Sequence, residues 1–195
     1  MTRKRRWFLL SAALVTVLTA LIVSYVRAHP LVFMPTHAHC IQCAGLGLIH
    51  YADQHQGRFP FDPKGYPSAL LLMDEIYFTN LTGPGYEAAP LIEAKRTGKR
   101  LSEEECGRVY VQRLTTKSNP AIALLFDKLP TPGGDHCHLP LRLWRPLGRE
   151  VWCVGTSLSF IPESEWEEFT RKQVDLLTQE GFERAEAERL FTSKP

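Results

Sequence analysis

The sequence predicts an α+β fold, in which an N-terminal transmembrane helix precedes a domain with a helix packed on a small antiparallel β-sheet and a C-terminal helix. Three observations predict this fold. An uncharged apolar run covers residues 7–26, apolar residues recur at helical spacing through 36–57, and short strand-like segments fill 108–161. The 195 residues are enough for one domain and a targeting segment.

The first predicted element is a membrane anchor. Residues 3–6 are all basic, and the run 7–26 has no charged side chain. At about 1.5 Å per residue, a helix over this run would span about 30 Å, the thickness of the hydrocarbon core of a bilayer. Because basic tips stay in the cytoplasm, we expect a single-pass protein of the inner (cytoplasmic) membrane. Residues 1–28 would be its cytoplasmic basic tip and transmembrane anchor, with the C-terminal domain periplasmic or otherwise extracytoplasmic.

A cleaved signal peptide is the alternative interpretation of the same segment. The stretch that ends at Ala28 suits cleavage after that residue. The apolar run is longer than the about 7–15 residues of a typical signal peptide, which favours an uncleaved anchor. Pro30 and Pro35 interrupt any helix that continues from the membrane. Residues 29–35 are therefore predicted to be a juxtamembrane linker, and 36–195 the exported domain.

The exported domain begins with an amphipathic helix, predicted between an N-cap at Thr36 and a stop at Gly57. Its apolar positions at helical spacing are Cys40, Ile41, Ala44, Leu48, Ile49 and Ala52. A short helix is predicted over 68–78, and a further helical turn over 91–95.

The second half of the domain has the short, turn-bounded segments that are typical of strands. The strand candidates are 108–114, 121–126, 141–144, 150–154 and 158–161. The last two flank Gly155-Thr156, which predicts a hairpin. Pro162 and the acids after it are start signals for the C-terminal helix, and a second helical piece is predicted over 183–191.

Charge and motifs exclude several function classes. The net charge of +2 predicts no nucleic-acid partner. The segment 155–158 lacks the Gly-x-Ser-x-Gly pattern that exposes a hydrolase nucleophile, and no glycine-rich phosphate loop follows a predicted strand. We therefore expect a protein that is not an enzyme and binds no cofactor.

Two clusters of histidine and cysteine provide the alternative to a purely structural role. The candidate ligands are His39, Cys40, Cys43, His136, Cys137 and His138. Thiolate and imidazole are good zinc ligands, but this spacing matches no standard zinc ribbon, and no metal is predicted. Cys40-x-x-Cys43 near a helix start also suits a thiol-redox pair. The five cysteines leave at least one unpaired within the chain, and spacing does not define the pairing.

Two segments carry a resemblance to a known family. Residues 40–60, CIQCAGLGLIHYADQHQGRFP, contain Tyr51-Ala52 and end in Gly57-Arg58-Phe59-Pro60. Residues 123–169 contain an apolar strand that ends in Phe-Asp, then glycine and proline turn residues, a hairpin and an acidic-aromatic helix. Both resemble the pilin-like, prepilin-type proteins of Planctomycetes and Verrucomicrobia, which are related to type II secretion pseudopilins.

The chain departs from that family at its N-terminus. Arg6 and Ser11 stand where a prepilin has its processing glycine and its register-setting glutamate, and Pro30 and Pro35 break the long stalk helix. The resemblance therefore implies a pilin-like domain in an anchored form that does not polymerise. It implies a non-catalytic, membrane-anchored envelope protein, a structural or accessory component of a secretion or pilus-like system. Its partners would be the membrane, through 7–26, and other envelope proteins.

The alternative function is an exported metal-binding or thiol-redox protein. It would use the cluster of His39, Cys40 and Cys43.

Overall fold

A computed structural model describes residues 14–24, 40–132 and 146–192 of the chain. The helices are α1 (14–24), α2 (Ile41–Gln54), α3 (Tyr66–Leu70), α4 (Phe78–Leu81), α5 (Ala89–Thr97), α6 (Trp166–Gln179) and α7 (Arg184–Thr192). The strands are β1 (Arg108–Tyr110), β2 (Ala123–Asp127), β3 (Thr131–Pro132), β4 (Leu147–Cys153) and β5 (Leu158–Pro162). Helices packed with one small antiparallel sheet make the described part of the chain α+β.

The sheet is organised around β4. Along one edge, β4 pairs antiparallel with β5 from Gly148↔Pro162 to Trp152↔Leu158. Its other edge pairs with β3 at the start and with β2 at the end, and β1 lies beyond β2. In the turn between β4 and β5, Thr156 has φ 62. The Cys153 amide donates to the Ser157 carbonyl oxygen, and the Thr156 amide donates to the Cys153 carbonyl oxygen. The predicted hairpin is therefore confirmed.

The sheet carries helices on both faces. Neighbouring residues of a strand point to opposite faces, so Trp152 and its partner Leu125 face one way, and Phe126 and Val151 the other. The Trp152 face receives α2, which comes so close that a Cβ on Gly45 would overlap the Trp152 ring. This close approach explains why glycine occupies that position of α2.

The opposite face is covered by α6 and α7. The rings of Phe126 and Phe191 stack at 4.8 Å between centroids, and Phe126 also lies 5.7 Å from the ring of Trp166. Gln173 of α6 accepts a hydrogen bond from the Ala123 amide at 2.8 Å, which attaches the helix to the start of β2. With helices on both faces, every residue of β2 is buried, as its continuous apolar run predicts.

The predicted transmembrane helix is wrong, and with it the N-terminal element of the predicted fold class. Of the predicted span 7–26, the structure describes α1, whose side chains are all exposed. In residues 14–24, 40–132 and 146–192, no helix has both the length and the apolar character needed to cross a bilayer. The rest of that span and the linker 29–35 lie outside the described residues.

The first two predicted helices of the exported domain have different limits in the structure. The helix predicted from Thr36 begins at Ile41, with Cys40 as its N-cap, and 36–39 lie outside the described residues. The helix predicted over 68–78 is divided into α3 and α4, because α3 ends at Leu70 and a 3-10 turn starts only at Glu75. The strand candidate 141–144 also lies outside the described residues.

Candidate functional site

The N-terminal end of α2 brings two thiols together. Cys40 is the N-cap, with extended backbone angles of φ −67 and ψ 110, and Cys43 lies three residues further along the helix. The two side chains are hydrogen-bonded, Cys43 is exposed and Cys40 is half-buried. Burial raises the pKa of Cys43, the Cys40 thiol raises it further, and the guanidinium of Arg108 opposes both effects.

The predicted metal ligands are only partly described. His39, His136, Cys137 and His138 lie outside the described residues, so their relation to Cys40 and Cys43 stays a prediction. Within 14–24, 40–132 and 146–192, no group of three or more histidine, cysteine, aspartate or glutamate side chains could hold a metal ion. The thiol pair is therefore the part of the predicted cluster whose geometry is known.

A buried ion pair lies near the thiols. The side chains of Arg108 and Asp127 are both 0% exposed, and Arg108 Nε donates to Asp127 Oδ1 at 2.8 Å. The two residues stand opposite each other in the β1–β2 register. Arg108 Nη1 also donates to the Asn80 carbonyl oxygen in α4, so one guanidinium joins two strands and a helix. No local pattern in the sequence predicts this pair, because nothing in the chain indicates which acid Arg108 faces.

The burial of the ion pair has an electrostatic consequence. Asp127 Oδ2 accepts a hydrogen bond from the Glu150 amide at 3.3 Å, and the Glu150 side chain is also buried. Burial raises the pKa of Asp127 from its ordinary 3.8 to about 6, although Arg108 acts to lower it. Desolvation of a carboxylate costs more here than one cation returns.

The other two described thiols are inside the fold. Cys106 and Cys153 are both buried, and Cys106 is only 1% exposed. Burial raises the pKa of Cys106 to about 12, and it also raises the pKa of Cys153. Among the described thiols, Cys43 is therefore the exposed one, Cys40 is half-buried, and Cys106 and Cys153 are closed to solvent.

The C-terminal end of α2 opens onto a groove of about 660 Å³. It is lined by Tyr51, Gln54, His55, Gln56, Arg58, Phe59, Phe61, Arg113, Leu114 and Thr115, a set defined here as the α2 groove. The chain reverses after α2 through Gln56 at φ 59 and Gly57 at φ 78. Arg58 then pairs with Thr115 in an antiparallel bridge, and both residues line the groove.

The chemistry of the α2 groove is aromatic and basic. Phe61 is 52% exposed, and the rings of Tyr51 and His55 stack at 3.8 Å between centroids. The lining includes the cations Arg58 and Arg113 and no acid. Arg113 is bound to Glu186 at 2.6 Å, so Arg58 supplies the positive charge that an incoming group would meet. The only sequence signal for the groove is Gly57, the predicted stop of the first helix of the domain.

Comparisons with known proteins identify no relative of this chain: no protein-family model matches it, and no significant match was found to a curated protein or a solved structure.

Proposed function

We propose that this protein is a non-catalytic structural or accessory component of the cell envelope, which binds another envelope protein of a secretion or pilus-like system. The observation that carries the proposal is the α2 groove. It combines an exposed phenylalanine with an arginine, the residue types enriched at protein interfaces. The partner is an acidic segment that also presents an aromatic or apolar side chain.

Charge complementarity supports the choice of an acidic partner. Arg58 is exposed at the groove and belongs to a lining without acids, and a guanidinium binds carboxylates through two parallel hydrogen bonds. The exposed ring of Phe61 adds apolar area that association would bury. The expected interface therefore has an apolar centre and a charged contact that directs the partner.

The disposition of the buried charges supports a structural role. Arg108 and Asp127 bind each other inside the fold, and Lys128, also buried, donates to the Glu103 carbonyl oxygen. These groups hold segments of the chain together and are closed to substrate. The packing of α2 on an antiparallel sheet agrees with the pilin-like resemblance, which stays a prediction, as does membrane association of 7–26.

Site-specific crosslinking tests the proposed interaction. A photo-crosslinking amino acid would replace Phe61 in the full-length chain, expressed in a bacterium with a type II secretion system. Ile76, which is 75% exposed and outside the α2 groove, is the matched control position. We expect crosslinks at position 61 to an acidic segment of an envelope protein, and loss of these crosslinks with Arg58→Glu. Equal crosslinking at both positions, or crosslinks that persist with Arg58→Glu, would contradict the proposal.

A C-terminal reporter tests the proposed location. An enzyme that is active only outside the cytoplasm, fused after the last residue, should be active. The basic segment 3–6 ahead of an apolar run has the order of an export signal, and its replacement by neutral residues should reduce the activity. A reporter that works only in the cytoplasm would overturn the envelope location.

A further inference from the structure

The thiol pair at the start of α2 is the basis of an inference that does not depend on the α2 groove. We propose that Cys40 and Cys43 form a reversible disulfide by exchange with a low-molecular-weight disulfide such as oxidised glutathione. In this reaction Cys43 is the attacking thiol and Cys40 is the resolving thiol. The proposal goes beyond the binding role of the α2 groove, which lies at the other end of the helix.

The backbone at Cys40 makes closure feasible. Within a helix, residues three apart have Cβ atoms about 5–6 Å apart, whereas a disulfide needs about 3.5–4.5 Å. Cys40 is outside the helical conformation, at φ −67 and ψ 110, and makes no side-chain capping hydrogen bond. Its sulfur is therefore able to turn toward Cys43, with which it is already in contact, without unwinding α2.

The two thiols differ in exposure in the way that the two steps of exchange require. Cys43 is exposed and meets an incoming disulfide first, while Cys40 is half-buried beside it. Cys106 and Cys153, the other described thiols, are buried and closed to the same reagent. The difference in exposure therefore makes Cys43 the attacking thiol and Cys40 the resolving thiol.

The chemistry balances in two steps. The Cys43 thiolate attacks one sulfur of the external disulfide, forms a mixed disulfide and releases the first small thiolate. The Cys40 thiolate then attacks the Cys43 sulfur, forms the Cys40–Cys43 bond and releases the second. The protein gives up two electrons and two protons, and the external disulfide is reduced to two thiols.

Mass spectrometry of the full chain in mixtures of reduced and oxidised glutathione tests the proposal. After acid quenching, we expect the peptide that contains Cys40 and Cys43 to lose two hydrogens without a retained glutathione. With Cys40→Ser, which keeps a good N-cap residue, glutathione should remain attached to Cys43. With Cys43→Ser, glutathione should attach to Cys40 at least about tenfold more slowly than it attaches to Cys43 in the Cys40→Ser variant. Cys106→Ala is the matched control and should behave as the unaltered chain.

Three outcomes would overturn the proposal. One is a stable glutathione adduct on Cys43 in the unaltered chain, since Cys40 would then not resolve it. Another is a disulfide that joins Cys40 or Cys43 to a different cysteine. The third is faster modification of Cys40 than of Cys43 in the two single variants, which would reverse the assigned roles.

Discussion

The two ends of α2 lie in different surroundings. At the N-terminal end, Cys40 and Cys43 lie near a fully buried ion pair, and Gly45 packs directly against Trp152. At the C-terminal end, the helix stops at an open groove with an exposed phenylalanine. The first end packs closely against the sheet beside a buried ion pair, while the second borders exposed aromatic and basic surface. One helix thus joins a closely packed region of the molecule to a region with an open groove.

The largest effect should come from breaking the ion pair near the N-terminal end. Arg108→Leu leaves the Asp127 carboxylate buried without its cation, and we expect a loss of about 3–5 kcal/mol in the free energy of unfolding. Denaturant unfolding at pH 7 measures it. The double variant Arg108→Leu/Asp127→Leu should recover part of the loss, because it also removes the buried carboxylate that has lost its cation. A loss below about 0.5 kcal/mol, the range of surface substitutions, would show that the folded state does not depend on the pairing of Asp127 with Arg108.

A smaller loss is expected from crowding the contact between α2 and the sheet. Gly45→Ala introduces a methyl group where the Trp152 ring already lies, and overpacking of this kind costs about 1–3 kcal/mol. Leu46→Ala is the matched control, since Leu46 is exposed on the same helix. Thermal melts of both variants compare the two positions, and an equal melting temperature would disprove the close approach of α2.

The pH dependence of the free energy of unfolding tests the raised pKa of Asp127. Its pKa is raised from 3.8 to about 6, so the folded state binds more protons than the unfolded chain between these values. The resulting stabilisation is fully present below about pH 4 and is lost as the pH rises through about 6, by an amount on the order of 1–3 kcal/mol. Unfolding of the wild-type chain and of Asp127→Asn between pH 4 and 7 measures the difference. Parallel pH curves for the two proteins would contradict the raised pKa.

The smallest effect on stability is expected at Phe61, the exposed ring of the α2 groove. Phe61→Ala removes a ring that is 52% exposed, and we expect a change within about 0.5 kcal/mol. The neighbouring Phe59 is only 3% exposed, and Phe59→Ala should cost about 3–5 kcal/mol. If both variants lose similar stability in denaturant unfolding, the groove is part of the core and the contrast between the ends of α2 fails.

Local pattern was sufficient for several elements. The 3.6-residue spacing of Ile41, Ala44 and Leu48 predicted the buried face of α2, and all three are fully buried. The hairpin of β4 and β5 was predicted because a short turn separates two strand-like segments. The start of the C-terminal helical region after Pro162 was also predicted, and a 3-10 turn leads there into α6. These features depend on residues close together in the chain.

Features that depend on distant residues escaped prediction. Arg108 reads as a surface charge until Asp127, 19 residues later, is placed opposite it. The α2 groove needs Arg58 next to Thr115, a pairing that no local pattern contains. The predicted transmembrane helix is wrong for a different reason. An apolar run identifies a hydrophobic segment, but it does not fix the length of the helix that the segment forms.

The sequence by itself determined the period of each element, the turn residues between them and the presence of two cysteines one helical turn apart. Tertiary structure decided what those elements contact: which strand pairs with which, that an arginine is buried, and that one end of α2 is packed while the other is open. The physical reason is that hydrogen-bonding period and turn geometry are local properties of the backbone. Burial and charge pairing arise only when segments far apart in the chain share one core.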